Sequence, residues 1–437
     1  MTSIRRERSR QLAARLEALV PGGAHTYAKG PDQYPDGRAP IIARGLGARV
    51  WDVDGNEYVE YGSGLRAVAL GHAEPRVLAA AQRAMADGLN FARPSALEVD
   101  AAEQFLANVP NADMVKFAKN GSDVTTAAVK LSRAHTGRDL VAICRQPFFS
   151  VDDWFIGATS MPAGIPDAIR GLTVSFAWND LAGLRALFDT YPGEVACVVM
   201  EGEGATDPEP GFLEGVRAAC TERGALLVFD EMIAGYRLAI AGAHELFGIR
   251  PDLSTFGKAI GNGFALSALA GRREVMELGA FPTERDRVFL LSTTHGAETH
   301  ALAAYLEIVR IYAADGIIDR LADRGRRLRA GVEAVAVEQG VADRFLVVGH
   351  PANLVYATLD PAGERSQPYR TLFLQELLDR GVLAPSFVVS TALTDEEIDR
   401  TVDAVRGALG VYRRALEDGT GPYLEGRPVQ PVFRPRG

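Results

Sequence analysis

The sequence predicts an α/β fold: a mostly parallel sheet covered by helices on both faces, followed by a smaller α+β lobe. Three observations carry this. From about residue 113, apolar runs of strand length alternate with helical segments, as in parallel strands joined by helical crossovers. Runs such as Leu226-Leu227-Val228-Phe229 are apolar throughout, which fits strands buried on both faces. Between 340 and 412 the alternation resumes on a smaller scale.

Taken in order, residues 4–20 read as an amphipathic helix stopped by Pro21-Gly22-Gly23. The Gly-, Pro- and Tyr-rich stretch 21–47 is expected to be irregular. Ala48–Tyr61 alternates about Asp54-Gly55-Asn56, a β-hairpin signal. Helices are expected over Arg76–Gly88 and Ser95–Val109. Then come a strand at Met114–Ala118, a helix at Gly121–Thr136 and a strand at Asp139–Cys144. The strand Val195–Glu201, the helix Gly211–Glu222 and the strand Ala225–Asp230 follow. Gly296–Val335 reads as long, largely helical and linking the lobes. The small lobe takes strands at Phe345–Val348 and Asn353–Leu359, a helix near 368–380 and a closing helix at Asp395–Leu416. The tail 418–437 carries four prolines and is expected to be extended. The domain division expected is 1–75, 76–310 and 311–437, the first segment contributing part of the small domain.

The chain has 437 residues, 47% apolar and 24% charged, with a net charge of −9. The acidic balance argues against nucleic-acid binding. The N-terminus lacks a signal-peptide pattern, and no run reaches the roughly 20 apolar residues of a membrane span. The expectation is a soluble, cytoplasmic protein. Cys144, Cys197 and Cys220 show neither a disulfide framework nor metal spacing, so they are expected to be buried thiols and no metal is expected.

Asp230 ends an apolar strand, and about one βα unit later Lys258 stands among Gly257, Gly261 and Gly263. Open α/β sheets bind ligands at the carboxyl ends of their strands. An acid and a lysine so placed are what pyridoxal phosphate (PLP) needs. The acid keeps the pyridinium nitrogen protonated, and the lysine amine makes a Schiff base with the aldehyde and then carries a proton. Taken alone, Asp230 reads rather as a helix cap and Lys258 as an exposed loop lysine; the two together favour the cofactor reading. Asn120-Gly121-Ser122-Asp123 precedes a helix; Gly121 and Ser122 suit a phosphate, or a plain helix cap. Phe148, in Gln146-Pro147-Phe148-Phe149, suits stacking on a pyridine ring or core packing. Leu291-Ser292-Thr293-Thr294-His295-Gly296 offers hydroxyls to a phosphate or to a helix start. The chain has neither a Walker lysine nor a GxGxxG fingerprint, which disfavours nucleotide and NAD readings.

The order and spacing of these segments resemble the class III PLP aminotransferases over nearly the whole chain. Within that class the sequence is most similar to glutamate-1-semialdehyde 2,1-aminomutase and related enzymes. Val20-Pro21-Gly22-Gly23, the run Gly45–Tyr58 and Leu70-Gly71-His72 also carry the likeness. The resemblance implies PLP fold type I, with a mostly parallel seven-stranded sheet in the large domain and a smaller α+β domain. It implies that Lys258 is the Schiff-base lysine, Asp230 the pyridinium partner and Met232 the residue under the ring. Gly121 and Ser122 match the phosphate turn, and Phe148 the place of a stacking Tyr. Glu201 opens a segment that reads Glu-Pro in relatives, here Glu201-Gly202-Glu203-Gly204. Thr293 matches a threonine that reaches the phosphate of the partner subunit's cofactor, which implies a homodimer with shared active sites.

The departures bear on substrate. Lys29 stands where the aminomutase pattern has a carboxylate-binding arginine, and it lacks the planar fork. The usual aromatic–His-Gly is replaced by Phe148-Phe149-Ser150, and a C-terminal loop is cut to Ala384–Ser390. The pocket is expected to gain Tyr27, Lys29, Arg66, Phe149, Asp153, Glu203 and His295, together with Tyr34, Asp152, Trp154 and Glu298. Aromatic faces with acids suit a sugar or amino sugar, as in aminoglycoside-type antibiotic pathways. The expected function is therefore amino transfer from an amino acid donor to a sugar aldehyde or ketone. The alternatives are a same-fold epimerase, dehydratase or glutamate-1-semialdehyde-type aminomutase, and a non-catalytic PLP-fold protein.

Overall fold

The computed structural model describes residues 4–145, 148–204, 206–281 and 286–434. The chain divides into two compact units. One comprises the described parts of Met1–Glu74 and Asp319–Arg434; the other is Pro75–Ile318. The first and last parts of the chain thus share a unit, and the second division falls after Ile318, beyond residue 310.

The Pro75–Ile318 unit is built on a seven-stranded sheet. Its order is Met114–Ala118, Ser267–Gly271, Leu253–Phe256, Leu226–Asp230, Val195–Met200, Leu140–Cys144, Thr173–Phe176. Ser267–Gly271 runs antiparallel to both of its neighbours, and the remaining pairs are parallel. Leu140–Cys144, Val195–Met200 and the run 226–229 are apolar at every position because alternate residues enter two different cores. Val141, Ile143, Cys197, Val199 and Val228 face one core, with Val124 and Leu131 of the helix Gly121–Thr136. Leu140, Ala142, Val198, Leu227 and Phe229 face the other, with Leu184, Phe188 and Val216. All three cysteines lie in these cores, and burial pushes each thiol up to about 12. Among the described residues no His/Cys/Asp/Glu group could hold a metal. No helix of the described residues is long and apolar enough to cross a membrane.

The other unit holds a four-stranded sheet ordered Ile42–Leu46, Arg49–Asp52, Glu57–Glu60, Val382–Leu383, with only the last pair parallel. Phe345–Val348 pairs antiparallel with Val355–Thr358. Gln367–Leu378 and Asp395–Asp418 pack as helices, and Val50, Tyr58, Leu374, Leu378 and Leu383 form a shared core.

Three expectations change. The stretch 21–47 contains the strand Ile42–Leu46, whose residues are mostly exposed, so its sequence carries no burial pattern. The segment Gly296–Val335 is two helices, Thr299–Asp315 and Ile317–Glu338, divided at Gly316, whose φ is +59°. The helix Glu7–Leu19 buries only Ser9. It is held by polar contacts instead: Ser9 Oγ donates to Asp54 Oδ2 at 2.6 Å, and Arg6 pairs with Asp379.

Candidate active site

Parallel strands end at one edge of the sheet, and that edge collects the predicted chemistry. Asp230 closes its strand opposite Thr255 of the neighbouring strand, which continues three residues later into Lys258. On the other side Met200 pairs with Phe229, so Glu201 emerges beside Asp230. Met114–Ala118 leads into Asn120-Gly121-Ser122, and Ser267 Oγ, from the antiparallel strand, donates to Asn120 O at 2.9 Å.

Asp230 is 1% exposed. Its Oδ1 accepts the Met232 N–H at 2.9 Å, while Oδ2 is buried with no hydrogen bond of good geometry, although the Thr255 hydroxyl lies near enough to favour the charged carboxylate. No helix follows for it to cap, so the capping reading fails. Burial raises its pKa to about 6; the Lys258 charge pulls the other way, and neighbouring Glu231 adds to the rise. A buried carboxylate with one oxygen lacking a good hydrogen bond calls for a cationic N–H donor, which a pyridinium nitrogen supplies. By this observation the residues present fit PLP. Glu231, fully buried, holds the turn behind the strand, accepting N–H bonds from Ala243 at 2.7 Å and His244 at 3.0 Å.

Lys258 is half-buried and opens a short 3₁₀ turn with φ +49°. That left-handed conformation costs a non-glycine residue energy, so the fold fixes the backbone at this lysine. Met232 ties the parts together. A Cβ added to Gly257 would stand 2.6 Å from its sulfur, and one added to Gly121 3.2 Å. The thioether therefore fills the junction of the Lys258 loop, the Gly121 turn and the Asp230 strand, a cradle that two glycines keep open.

The turn at Gly121 forms the helix cap that its sequence suggests. Asn120 caps the helix, its own N–H donating to Asp123 Oδ2 at 2.9 Å. The first amides of the 16-residue helix, at Gly121 and Ser122, have no acceptor within it. Ser122 Oγ accepts from Val151 N at 2.9 Å, which leaves its hydroxyl hydrogen to donate. Phe148 is 48% exposed and lies edge-on to Phe155 at 5.4 Å. Gln146 and Pro147 lie outside the described residues.

The expected substrate residues belong to both units and differ in exposure. Phe149 is 2% exposed and its ring sits in the large core; it packs against Phe155 at 5.8 Å, which corrects its placement in a substrate pocket. Asp152 and Trp154 are tied to Thr126, whose hydroxyl bonds the Asp152 carboxylate and accepts Trp154 Nε1–H at 2.8 Å. Asp153 is exposed, Glu201 buried and Glu203 half-buried. The departure from Glu-Pro follows from packing: a Cβ at Gly202 would meet Ala243 Cβ at 2.7 Å, and one at Gly204 would meet Trp178 at 2.7 Å. Thr293 and His295 lie on an exposed loop. Tyr27, Lys29 and Arg66 belong to the other unit. The first two are exposed, while Arg66 is half-buried and its Nε donates to Asn353 Oδ1 at 2.8 Å.

Sequence reasoning missed Lys119. Its ammonium pairs with Glu298, whose other oxygen bonds His295 Nδ1 at 2.9 Å. A lysine one residue before a glycine turn is too common a pattern to signal this partner.

The sequence matches the class-III aminotransferase family over residues 34–409. It is 34% identical to the glutamate-1-semialdehyde 2,1-aminomutase of Desulforudis audaxviator (strain MP104C), over 92% of this chain and 97% of that protein. It is 32% identical to glutamate-1-semialdehyde 2,1-aminomutase 2 of Brevibacillus brevis, over 91% and 97%. Among solved structures, a PLP form of the FumI protein of Sphingopyxis sp. MTA144 superposes with a TM-score of 0.85 at 27% identity, covering 96% of this chain and 99% of that one. An omega-transaminase from Sphaerobacter thermophilus gives 0.84 at 29% identity, covering 92% and 97%.

Proposed function

We propose, from the premise that this chain belongs to the class-III aminotransferase family and works with PLP, that it moves an amino group from an amino acid donor to an aldehyde or ketone acceptor. The observation that carries this reading is the Asp230 oxygen without a good hydrogen bond, buried one strand away from the Lys258 loop. When bound, PLP supplies an electron sink for a carbanion at the substrate carbon. The chain's own residues do the rest. Asp230 holds a proton at the ring nitrogen. Lys258 would hold the cofactor through its amine and, when freed, would move a proton at the substrate carbon. The first amides of the Gly121–Thr136 helix, with the Ser122 hydroxyl, bind the phosphate. Met232 fixes the floor of the site, Phe148 offers a face to the ring, and Glu201 lines the edge beside Asp230.

The exposed Thr293 loop supports a homodimer in which this loop completes the partner subunit's site. Asp153, Glu203 and His295, with Tyr27, Lys29 and Arg66, remain the candidates for substrate selection. A sugar or amino-sugar acceptor rests on those aromatic and polar side chains alone, and the relatives' names do not speak for it. A second reading is internal amino exchange on one molecule, as in an aminomutase. Its support is the 32–34% identity to aminomutases over nearly the full chain, and sequence identity favours it. Lys29 in place of arginine and the shortened loop 384–390 favour the two-substrate reading.

The test is a substrate panel with the PLP-loaded chain. Donor-dependent amination of a carbonyl acceptor supports the first reading. Conversion of glutamate-1-semialdehyde without a donor supports the second. A Lys258→Ala variant should lose covalent cofactor attachment, read by mass spectrometry, and all turnover. If it keeps turnover, the assignment of Lys258 is wrong.

A further inference from the structure

Two segments of the Pro75–Ile318 unit that are far apart in sequence meet through one carboxylate. Glu298 is the residue before the helix Thr299–Asp315, and its side chain is 11% exposed. One oxygen takes the Lys119 ammonium and the other His295 Nδ1 at 2.9 Å. The ammonium holds the Glu298 carboxyl below the usual carboxylate range. Lys119 directly precedes Asn120, the cap of the helix whose first amides face the phosphate position. His295 lies two residues beyond Thr293. The loop is fixed again at Thr294, whose carbonyl accepts Asn90 Nδ2–H at 3.1 Å. The opposite side of the phosphate turn is fixed by Ser267. The Lys119–Glu298–His295 chain thus links turn and loop directly.

An isolated surface ion pair does little. This one differs in two respects: its carboxylate is nearly buried, and both of its oxygens are used. It also keeps Lys119 turned towards Glu298, so the lysine acts as a brace while the helix amides and Ser122 bind the phosphate. We infer that Glu298 is a positioning residue that fixes both the phosphate turn of its own site and the Thr293 loop that completes the partner subunit's site. This rests on the reading of Gly121 and Ser122 as the phosphate turn.

A positioning role predicts a phosphate-specific defect, which a merely structural role does not. The experiment compares equilibrium binding of PLP and of pyridoxal, the same aldehyde without the phosphate, to the cofactor-stripped full chain. The chains are wild type, Glu298→Gln, Lys119→Met and the exchanged pair Lys119→Glu/Glu298→Lys, each checked for an unchanged melting curve. Glu298→Gln and Lys119→Met should each weaken PLP about tenfold and leave pyridoxal unchanged, and the exchanged pair should recover most of the loss. If PLP binds the single variants as tightly as wild type, or both ligands weaken equally, the inference is overturned. Failure of the phosphate-turn reading shows separately: Ser122→Ala would then leave the PLP-to-pyridoxal preference of the wild type intact.

Discussion

A buried acid whose partner arrives with the cofactor has a measurable signature in the cofactor-free chain. Asp230 holds its proton to about pH 6 when folded, against an ordinary value near 3.8. The folded state therefore binds more protons than the unfolded chain between those values. Stability is full below the lower one and falls as pH rises through the upper. Asp230→Asn removes this loss, so the cofactor-free variant should be more stable than wild type above pH 6, by up to about 3 kcal/mol. Urea unfolding from pH 4 to 7 checks the sign: wild type should decline and the variant stay flat across this window. With cofactor bound the order reverses. Losing the charge that would face the ring nitrogen removes a buried pair, and turnover should fall by about two to four orders of magnitude, from a loss of about 3–5 kcal/mol. Gly257→Ala is a second probe. Its Cβ would press on the Met232 sulfur, so it should weaken cofactor binding by about 1–3 kcal/mol, and Met232→Ala should relieve most of this in the double variant. In the sequence Asp230 stands out by ending an unbroken apolar run and Lys258 by its neighbours Gly257, Gly261 and Gly263, the strand before Lys258 being short. Phe149 does not stand out: two adjacent phenylalanines look alike, and only the fold turns one to solvent at 48% and the other into the core at 2%.

At the scale of elements, strands buried on both faces were readable from unbroken apolar runs, and the ends of Met114–Ala118 and Gly121–Thr136 fall where the residues place them. Ser267–Gly271 escaped because Ser, Ala and Gly carry little strand propensity; its pairing with two neighbours holds it. Thr173–Phe176 and Leu253–Phe256 are four residues each, too short for a period to register. The helix Leu181–Thr190 had a signal that went unused: Asp180 caps it, accepting from Gly183 N at 2.8 Å, and Leu184, Leu187 and Phe188 follow at helical spacing. The break at Gly316 shows how one residue can override a long helical pattern. Its left-handed φ costs a residue with a Cβ about 1–2 kcal/mol, and a Cβ there would touch nothing. Gly316→Ala should thus lower stability by about 1 kcal/mol through the backbone alone, with Gly316→Asn milder. Thermal unfolding of the two variants reads this directly, and an equal loss in both would mean that side-chain contacts, absent here, set the cost.

For the whole molecule, the question is what covers the surface around the Thr293 loop. Leu89 and Phe91 are 40% and 52% exposed. Their segment is bonded to that loop's end: Thr299 Oγ1 donates to Gly88 O at 2.7 Å, and Asn90 reaches Thr294 O. Apolar side chains beside an exposed hydroxyl loop suit contact with a second copy of the chain, and the net charge of −9 makes such contact depend on apolar burial more than on attraction between charges. Wild type should therefore sediment at twice the 46.9 kDa chain mass. Phe91→Asp places a charge in the contact, and desolvating it unpaired is costly. On the proposed dimer, this variant should shift to the single-chain mass at micromolar concentration and release its PLP faster, because each site would lose the loop its partner contributes. The two effects should move together: raising the protein concentration should restore dimer and cofactor retention along one curve. A single-chain Phe91→Asp species that keeps PLP as tightly as the dimer would mean that each site is complete within one chain and that Thr293 serves another purpose.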